Sequence, residues 1–424
     1  MVPEIALAAA RAAERRFLKE ASLGPIDGVP FSLKDLTPTR GIRTTFGSRI
    51  HEHHVPDEDG AIAASLLRSG GVLLGKTNTP EFGARSVTEN RLFGPTRNPW
   101  DPARIAGGSS GGAAAAVAAG LGSLAQGSDS AGSIRIPASA CGVVGVRPTP
   151  GLVAQYPKSN AWETIAVDGP LARTVRDAAM FLDMMVGRDP RDPTSVEPPT
   201  SSFLSACDAP SLALRIAASI HAGGPPVDPA IVRTVQSVVA TLSALGHSVV
   251  DASPDFGDIT ALRRDLLPRI GAAYEHLLER HADVMDPALV EMCELSRGVS
   301  AIDYDRASYR RTELWHVART FFHRFDLLVT PTLPRLPYAA SEGTPRHEQD
   351  LIRFTIPFSF AGTPAMSLPI GWTDDGLPIG VQLVAPAFHE ARLFTIAAEL
   401  EMTHPWRHRY SRLLVAGNER PGQQ

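Results

Sequence analysis

Cysteine is rare in this sequence, and its rarity excludes a fold held together by disulfides. The 424 residues contain three cysteines, Cys141, Cys207 and Cys293. They lie far apart and lack the spacing of metal ligands, so we expect each to be a small buried apolar side chain. So few cysteines fit a reducing, cytoplasmic setting.

Long apolar runs and clusters of basic residues are missing as well. No apolar run reaches the roughly 18 residues that a membrane span needs, and the N-terminus lacks the pattern of a secretory signal peptide. Lysine and arginine total 41 against 45 acidic residues, which gives a net charge of −4. The sequence therefore predicts a soluble protein that binds neither membranes nor nucleic acids.

The remaining composition is typical of a globular chain. Apolar residues make up 43% and charged residues 20%, which is ordinary usage. Glycine and proline number 36 each without a short period, so loops should be plentiful. A chain of this length can form two or three domains or one large α/β domain.

The order of the predicted elements favours an α/β fold with a largely parallel sheet. An alanine-rich helix over roughly 4–19 precedes a short strand at 31–33. A helix at 61–68, which Asp59 can cap, precedes a buried strand at 72–74. Strand, helix and strand in this order are typical of parallel pairing.

The later part of the chain predicts an inserted βαβ unit, a helical region and a hairpin. Residues 187–210 are rich in Pro, Asp and Ser and predict a surface loop. The other predicted elements are strands at 212–216, 248–250 and 327–329, helices at 229–244, within 259–325 and at 390–401, and hairpin strands at 365–372 and 379–384. The hairpin is indicated by Asp375-Gly376 between two apolar runs.

Two Gly/Ser loops, at 107–112 and 127–132, carry the residues with the clearest chemical potential. A serine nucleophile needs a base, an exposed turn and backbone N–H groups directed at the oxyanion. Glycine-rich turns supply the last two, but neither loop contains a histidine to act as the base. The pattern Gly-x-Ser-x-Gly at 107–111 matches a nucleophile elbow. Such an elbow directly follows a strand, however, and the residues before 107 are poor strand formers.

Lysine is the other candidate base, and the chain has four: Lys19, Lys34, Lys76 and Lys158. Lys34 follows an apolar strand, so burial can lower the pKa of its amine towards neutrality. Spacing alone does not separate this interpretation from an ordinary solvated lysine.

Several segments together resemble the amidase signature family. Residues 28–35 (GVPFSLKD) are similar to its catalytic-lysine segment, 107–112 (GGSSGG) to its Gly/Ser loop and 127–137 (GSDSAGSIRIP) to its nucleophile loop. Further similar segments lie at 75–78, 330–332 and 376–382. The resemblance extends from residue 8 to about 401. It implies an α/β fold with a large, mixed, mostly parallel twisted sheet covered by helices on both faces.

The resemblance also implies a Ser-cis-Ser-Lys triad. Ser133 matches the nucleophile and Lys34 the base. Ser109 matches the bridging serine that follows a non-proline cis peptide. The activity implied is hydrolysis of a carboxylic amide to an acid plus an amine or ammonia, through an acyl-enzyme on Ser133.

The residues around the triad take roles from the same resemblance. The backbone N–H groups of Ser130, Ala131, Gly132 and Ser133 match the oxyanion hole, although the family usually has Gly where this chain has Ala131. Ser110 is expected to support the site by hydrogen bonding. Asp129 and Arg135 are expected to brace the nucleophile loop as a pair.

The family further implies a small-molecule amide substrate, no cofactor and no metal, with a homodimer compatible with the sequence. Residues 1–424 are expected to form one amidase domain with a shortened N-terminal helical part, and 187–330 an inserted region within it. Phe82, Gly83 and Trp162 are the candidate pocket walls. Lys76 is expected to be structural.

Two further activities remain open alongside a simple amidase. One is a component of a tRNA-dependent amidotransferase complex, which shares the triad. The other is a catalytically weak relative, impaired by Ala131 or by the short N-terminus. The cluster His51-Glu52-His53-His54 lacks metal-site spacing and predicts a polar loop. Residues 120–125 match a dinucleotide-binding fingerprint only superficially, because they follow a helix.

Overall fold

The computed structural model describes residues 1–158, 160–221, 225–342 and 345–413. Its centre is a ten-stranded sheet, accompanied by a two-stranded ribbon. The strands are β1 (Pro30–Lys34), β2 (Val72–Thr77), β3 (Glu89–Asn90), β4 (Gly94–Pro95), β5 (Leu124–Asp129), β6 (Val144–Arg147), β7 (Val167–Ala172), β8 (Arg215–Ala218), β9 (Ser248–Asp251), β10 (Leu327–Pro331), β11 (Ala365–Trp372) and β12 (Pro378–Val384).

The large sheet is mixed, and its parallel pairs lie at the two sides. The strand order is β2-β1-β5-β7-β6-β11-β12-β10-β8-β9. β2, β1 and β5 run parallel at one side, and β10, β8 and β9 run parallel at the other. The five pairings between these groups are antiparallel.

Helices connect and cover the strands. The α-helices are α1 (Pro3–Phe17), α2 (Ala61–Arg68), α3 (Gly111–Ala118), α4 (Arg135–Cys141), α5 (Val175–Met185), α6 (Phe203–Ala206), α7 (Pro229–Ala244), α8 (Thr260–Asp265), α9 (Pro268–His281), α10 (Pro287–Ser296), α11 (Ala301–Arg324), α12 (Pro345–Leu351), α13 (Ile356–Phe360) and α14 (Glu390–Thr403). Among the helices of the described ranges, none combines the length and apolar character of a transmembrane segment.

Both faces of the sheet are buried beneath helices. Successive side chains of a strand point to opposite faces, and Leu124 and Ala125 of β5 accordingly belong to two different apolar clusters. Leu124 packs in the cluster that contains residues of α2, α5, α7 and α14. Ala125 packs with the small side chains of α3 and with α4. The fold is therefore the helix-covered mixed sheet that the resemblance implies.

The sequence misplaces one strand that matters for the site. Residues 127–129 were expected in a Gly/Ser loop, but they complete β5 between β1 and β7. A side chain at Gly127 would place its Cβ 2.7 Å from Leu171 Cδ1 and 2.9 Å from Ser110 Oγ. Glycine is needed here because two neighbours approach the strand closely.

The predicted βαβ unit extends the edge of the sheet. β8 pairs with β10 on one side and with β9 on the other. Asp228 is the N-cap of α7, as the sequence predicts, and its side chain accepts a hydrogen bond from Ala230 N. By contrast, Gly60 and not Asp59 is the N-cap of α2, since Asp59 instead accepts a hydrogen bond from Arg40 N.

Candidate active site

Lys34 lies at the end of β1 and is buried from water. Phe31 and Leu33 of this strand enter one apolar cluster, so the alternating residues face the other side of the sheet. The Lys34 side chain there meets three hydroxyl groups. Its Nζ lies 2.7 Å from Ser109 Oγ, 2.9 Å from Ser110 Oγ and 3.0 Å from Ser128 Oγ.

The surroundings of Lys34 disfavour its charged form. Burial lowers the pKa of the amine to about 7, although the charges of Asp168 and Asp129 act in the opposite direction. Hydroxyl groups solvate an ammonium ion less well than water does, and no carboxylate of the described chain lies within ion-pair distance of Nζ. A substantial share of Lys34 is therefore neutral near pH 7.

Gln126 and Asp168 support Lys34, and the sequence analysis missed both. Gln126 Oε1 accepts from Lys34 N at 3.0 Å, and its Nε2 donates to Asp168 Oδ1 at 2.7 Å. Gln155 Nε2 donates to the other oxygen of Asp168 at 3.1 Å. Burial raises the pKa of Asp168, against these hydrogen bonds and the charge of Lys34. Neither residue belongs to a sequence motif of the triad, so no pattern identified them.

Ser109 follows a cis peptide bond between Gly108 and Ser109. Its side chain is buried, and its carbonyl oxygen accepts from Thr88 Oγ1 at 3.3 Å. Gly83 lies against it, because a Cβ at Gly83 would sit 3.4 Å from Ser109 Oγ. The bridging candidate is thus held between the base and the wall of a cavity.

Ser110 ties the two serine segments together. Its N–H donates to Ser133 O at 3.0 Å, and its Oγ donates to Ser128 O at 3.1 Å. These bonds fix the start of α3 against β5 and against the loop that leads into α4. Ser110 therefore occupies a supporting position beside Lys34.

Ser133 lies in the loop between β5 and α4 and is half-buried. Ser109 and Ser133 line the same cavity. Within the described ranges, the Ser133 hydroxyl makes no recorded hydrogen bond, whereas Ser109 Oγ contacts Lys34. The structure therefore joins Lys34 to Ser109 directly and leaves the Ser133 hydroxyl open to the cavity.

Of the four predicted oxyanion donors, one backbone N–H has a hydrogen-bond partner in the described chain and three do not. Gly132 N–H donates to Asp129 Oδ1 at 2.9 Å, so this predicted oxyanion donor already has a partner. In the described part of the chain, no partner is recorded for the amides of Ser130, Ala131 and Ser133. Ala131 has a negative φ, so its methyl group causes no backbone strain.

Asp129 and Arg135 form a bidentate pair that is fully buried. Arg135 Nε and Nη2 each donate to one carboxylate oxygen at 2.9 Å, and Arg147 Nη1 lies 3.4 Å from Oδ1. Burial favours the neutral acid, but the charges and hydrogen bonds of the two arginines outweigh it. They hold the pKa of Asp129 far below its usual range.

Arg135 also connects the nucleophile loop to distant parts of the chain. Its Nη1 donates to Gln382 Oε1 at 2.8 Å and to Thr355 O at 3.0 Å. Gln382 Nε2 in turn donates to Thr330 Oγ1 at 2.9 Å. The family-like segments at 330–332 and 376–382 therefore meet the nucleophile loop through Arg135.

A cavity of about 2210 Å³ opens above the serines. Phe82, Gly83 and Tyr156 line it, and the Phe82 ring lies 4.5 Å from that of Tyr274. Trp162 does not line it, and its side chain is 74% exposed. The assignment of Trp162 to the pocket wall is not supported, because the turn at 160–163 directs its indole to solvent.

Lys76 and the histidine cluster have local partners. Lys76 Nζ donates to Thr37 O and, at 3.1 Å, to Thr44 Oγ1, and it lies 3.8 Å from Asp35. His51 packs against the rings of Phe46, His54 and Phe82. Among the described residues, no group of three His, Cys, Asp or Glu side chains is placed to hold a metal ion.

Comparison with known sequences finds relatives that are amidases or amidotransferase components. The profile of the Amidase family matches residues 1–394. An acylamidase from Rhodococcus erythropolis is 39% identical over 395 residues, which cover 91% of this chain and 83% of that protein. A glutamyl-tRNA(Gln) amidotransferase component from Thermosynechococcus vestitus is 36% identical over 431 residues, covering 95% of this chain and 89% of that protein.

Solved structures agree with the sequence comparisons. A bacterial aryl acylamidase of the amidase signature family matches with a TM-score of 0.88 and 29% identity, covering 98% of this chain and 90% of that one. A 6-aminohexanoate cyclic dimer hydrolase matches with a TM-score of 0.85 and 33% identity, covering 97% and 94%. The chain therefore belongs to the amidase signature family and is an amidase, a hydrolase that acts on carbon–nitrogen bonds.

Proposed function

We propose that Ser133 is the nucleophile of this amidase, that Lys34 is the base, and that Ser109 carries protons between them. One observation carries this proposal: Lys34 Nζ, with its pKa lowered to about 7, lies 2.7 Å from Ser109 Oγ. A neutral amine accepts a proton through its lone pair. A Ser109 hydroxyl that gives up its proton to Lys34 can accept one from Ser133.

Acylation then follows by balanced steps. Ser133 Oγ attacks the amide carbon, its proton passes to Ser109, and the Ser109 proton passes to Lys34. The tetrahedral intermediate breaks its carbon–nitrogen bond as the proton returns through Ser109 to the departing nitrogen. Water then attacks the ester through the same relay, which releases the acid and restores the Ser133 hydroxyl.

The oxyanion needs donors that have no partner in the resting enzyme. The amides of Ser130, Ala131 and Ser133 meet this requirement in the described chain, whereas Gly132 N–H is engaged by Asp129. We therefore assign the oxyanion hole to three amides and give Gly132 a structural role. Preorganised backbone donors of this kind contribute about 3 kcal/mol each to the stabilisation of a transition state.

Labelling with a fluorophosphonate, followed by peptide mapping, tests the assignment. The expected result is a label on Ser133 that is absent in Ser133→Ala and strongly slowed in Lys34→Ala. A label on Ser109 or Ser110 would support the nucleophile-elbow alternative instead. Lys19→Ala is the matched control, because this lysine is exposed and does not line the cavity.

The substrate class is a small carboxylic amide, and the relatives suggest which panel to test. Their names include acylamidase, aryl acylamidase and 6-aminohexanoate cyclic dimer hydrolase. Aryl, aliphatic and cyclic amides should therefore be compared. A label on Ser133 at the rate of a typical serine hydrolase, without turnover of any amide, would favour a catalytically weak enzyme or an unusual substrate.

A second candidate is a component of an amidotransferase complex, since several relatives with that name are 35–38% identical. Such a component would release ammonia from glutamine only when its partner proteins are present. Glutaminase activity that appears only on addition of those partners would favour it. Hydrolysis of simple amides by the chain alone would favour the amidase.

Three broader inferences accompany the catalytic one. We propose that residues 1–424 form one domain that includes 187–330, supported by the pairing of β8 with β10 in the central sheet. A cytoplasmic setting is supported by the free Cys141, Cys207 and Cys293. The absence of nucleic-acid partners and the assembly state remain predictions.

A further inference from the structure

Arg269 lies directly beside the nucleophile loop, and neither the family resemblance nor the triad explains it. It is the second residue of α9, lines the cavity and is 27% exposed. Its Nη2 donates to Ser130 Oγ at 3.1 Å. A cationic group is thus held one side chain away from a proposed oxyanion donor.

Arg269 has no carboxylate at hydrogen-bond distance in the described chain. Ser130 supplies a neutral hydroxyl. The nearest carboxylate, Glu163, has an oxygen 3.6 Å from Arg269 Nη1, beyond hydrogen-bond distance. Both Glu163 oxygens already accept backbone N–H groups, from Ile165 and from Ala166. Donors of the Arg269 guanidinium therefore remain for a ligand.

The charge of the same carboxylate also acts on a second guanidinium. Arg311 of α11 donates to Thr164 Oγ1 at 3.2 Å, and its buried Nε has no hydrogen-bond partner among the described residues. Burial lowers the pKa of Arg311; Glu163 opposes this effect, and the charge of Arg269 adds to it. The charge of Glu163 thus acts on two arginines on this side of the loop, and Arg269 is the one within ion-pair distance.

The other side of the loop shows the same imbalance. Asp129 is shared by Arg135 and Arg147. Arg135, Arg147 and Asp129 are fully buried, so among these guanidinium groups it is that of Arg269 that lines the cavity. Asp168 and Lys34 are also near the loop, and they compensate each other in part. An anionic group of a ligand that enters the cavity beside the loop would therefore meet Arg269.

We infer that the substrate is an amide that also carries a carboxylate, and that the guanidinium of Arg269 binds this carboxylate beside the nucleophile loop. This inference rests on the proposed amidase function and narrows its substrate class. Arginine suits the role because its planar fork matches the two oxygens of a carboxylate. Arg135 and Arg16 bind carboxylates within this chain through the same Nε and Nη2 edge.

The test measures the preference for anionic over neutral amides in the wild type and in variants of Arg269. Monoamides of short dicarboxylic acids of increasing length are paired with analogues in which a methyl group replaces the carboxylate. The measured quantity is the ratio of kcat/KM for the anionic amide to that for the neutral amide. The wild type should prefer the anionic amide at one chain length, and the preference should weaken with added salt.

Arg269→Gln should reduce this ratio by about 10- to 100-fold, as expected for a charge-assisted hydrogen bond. Arg269→Lys should restore part of it through charge alone. Arg297→Gln removes the same charge from an exposed pair with Glu275 and serves as the control. A ratio that Arg269→Gln leaves unchanged, even with both rates reduced, would overturn the inference and indicate a brace for Ser130.

Fluorophosphonate labelling separates this inference from the proposed function. If Ser133 of the wild type is labelled but the enzyme shows no preference for anionic amides, only the inference about Arg269 fails. If Ser133 is not labelled, the proposed mechanism fails, whatever the substrate ratio.

Discussion

Lys34 Nζ lies 2.7 Å from Ser109 Oγ, and both groups are shielded from water. This contact combines a base whose charged form is disfavoured with a hydroxyl that can pass on a proton. Neither property needs a histidine, which explains how two Gly/Ser loops without histidine can serve a hydrolase.

Acylation should depend on the neutral form of Lys34. Because burial lowers the pKa of its amine to about 7, the neutral fraction falls about tenfold for each pH unit below that value. The rate of Ser133 labelling should therefore decline below pH 7 and level off above it. A rate that stays constant between pH 5 and 9 would contradict a lysine base.

Asp168→Asn should move this acidic limb to lower pH. The charge of Asp168 favours the protonated amine of Lys34, so its removal lowers the pKa of Lys34 further. The pH profile of labelling measures the shift. Asp258→Asn, at an exposed carboxylate that also lines the cavity, should leave the profile unchanged. A shift to higher pH would mean that Asp168 acts mainly through its hydrogen bonds.

Lys34→Met should abolish acylation and stabilise the fold at low pH. The pKa of Lys34 is lowered on folding, so the unfolded chain binds one more proton between about pH 7 and 10. The wild-type free energy of unfolding therefore rises with pH in this window. Below pH 7 it is lowered by the full penalty of burying the charged amine. The Met variant lacks this penalty, which is at most about 5 kcal/mol.

Urea denaturation at pH 6 and pH 9 would measure the difference. The stabilising effect of Lys34→Met should be larger at pH 6 than at pH 9. Equal effects at the two pH values would show that the amine keeps its ordinary pKa in the folded protein.

Local patterns in the sequence predict several helices and the hairpin of the large sheet. α2 has its predicted bounds, and α7, α14 and the hairpin of β11 and β12 differ from prediction by at most a few residues. These segments have clear caps, apolar periodicity or an Asp-Gly turn. β8 is displaced from 212–216 to Arg215–Ala218 because the preceding polar loop lacks a distinct end.

The elements around the nucleophile loop were harder to predict, because their residues serve the tertiary structure. β5 contains Gly127 and Ser128, which are poor strand formers, and it is a strand because β1 and β7 pair with it on both sides. β6, β7 and α4 were not predicted, and α5 was missed although Thr174 caps it and its buried side chains recur at helical spacing. Apart from the hairpin of β11 and β12, the antiparallel pairings in the centre of the sheet join strands that no short turn connects, so no local pattern encodes them.

The site shows the same division. Family-like segments led to Lys34, Ser109 and Ser133, and the cavity does contain Phe82 and Gly83. Asp168 was missed because it lies on the unpredicted β7, and Arg269 because one arginine near a helix start carries no motif. The engagement of Gly132 N–H by Asp129 depends on the rotamer of a buried carboxylate, which sequence does not reveal.

Gly132 should tolerate no side chain, whereas its neighbour Ala131 should tolerate the loss of one. Gly132 has φ of 122°, and a Cβ there would lie 2.2 Å from Thr355 Oγ1. The Thr355 hydroxyl donates to Ala131 O at 2.6 Å, so it cannot move away without releasing the loop. Gly132→Ala should therefore lower the free energy of unfolding by about 3 kcal/mol and slow the labelling of Ser133.

Ala131→Gly is the matched control, since Ala131 has a negative φ and the variant should cost less than about 1 kcal/mol. Combining Gly132→Ala with Thr355→Ala removes the overlap but keeps the unfavourable φ, so it should restore only part of the lost stability. Urea denaturation and the labelling rate give both readouts. If Gly132→Ala labels at the wild-type rate, the Gly132–Thr355 contact does not hold the nucleophile loop, and Asp129 and Arg135 alone must position Ser133.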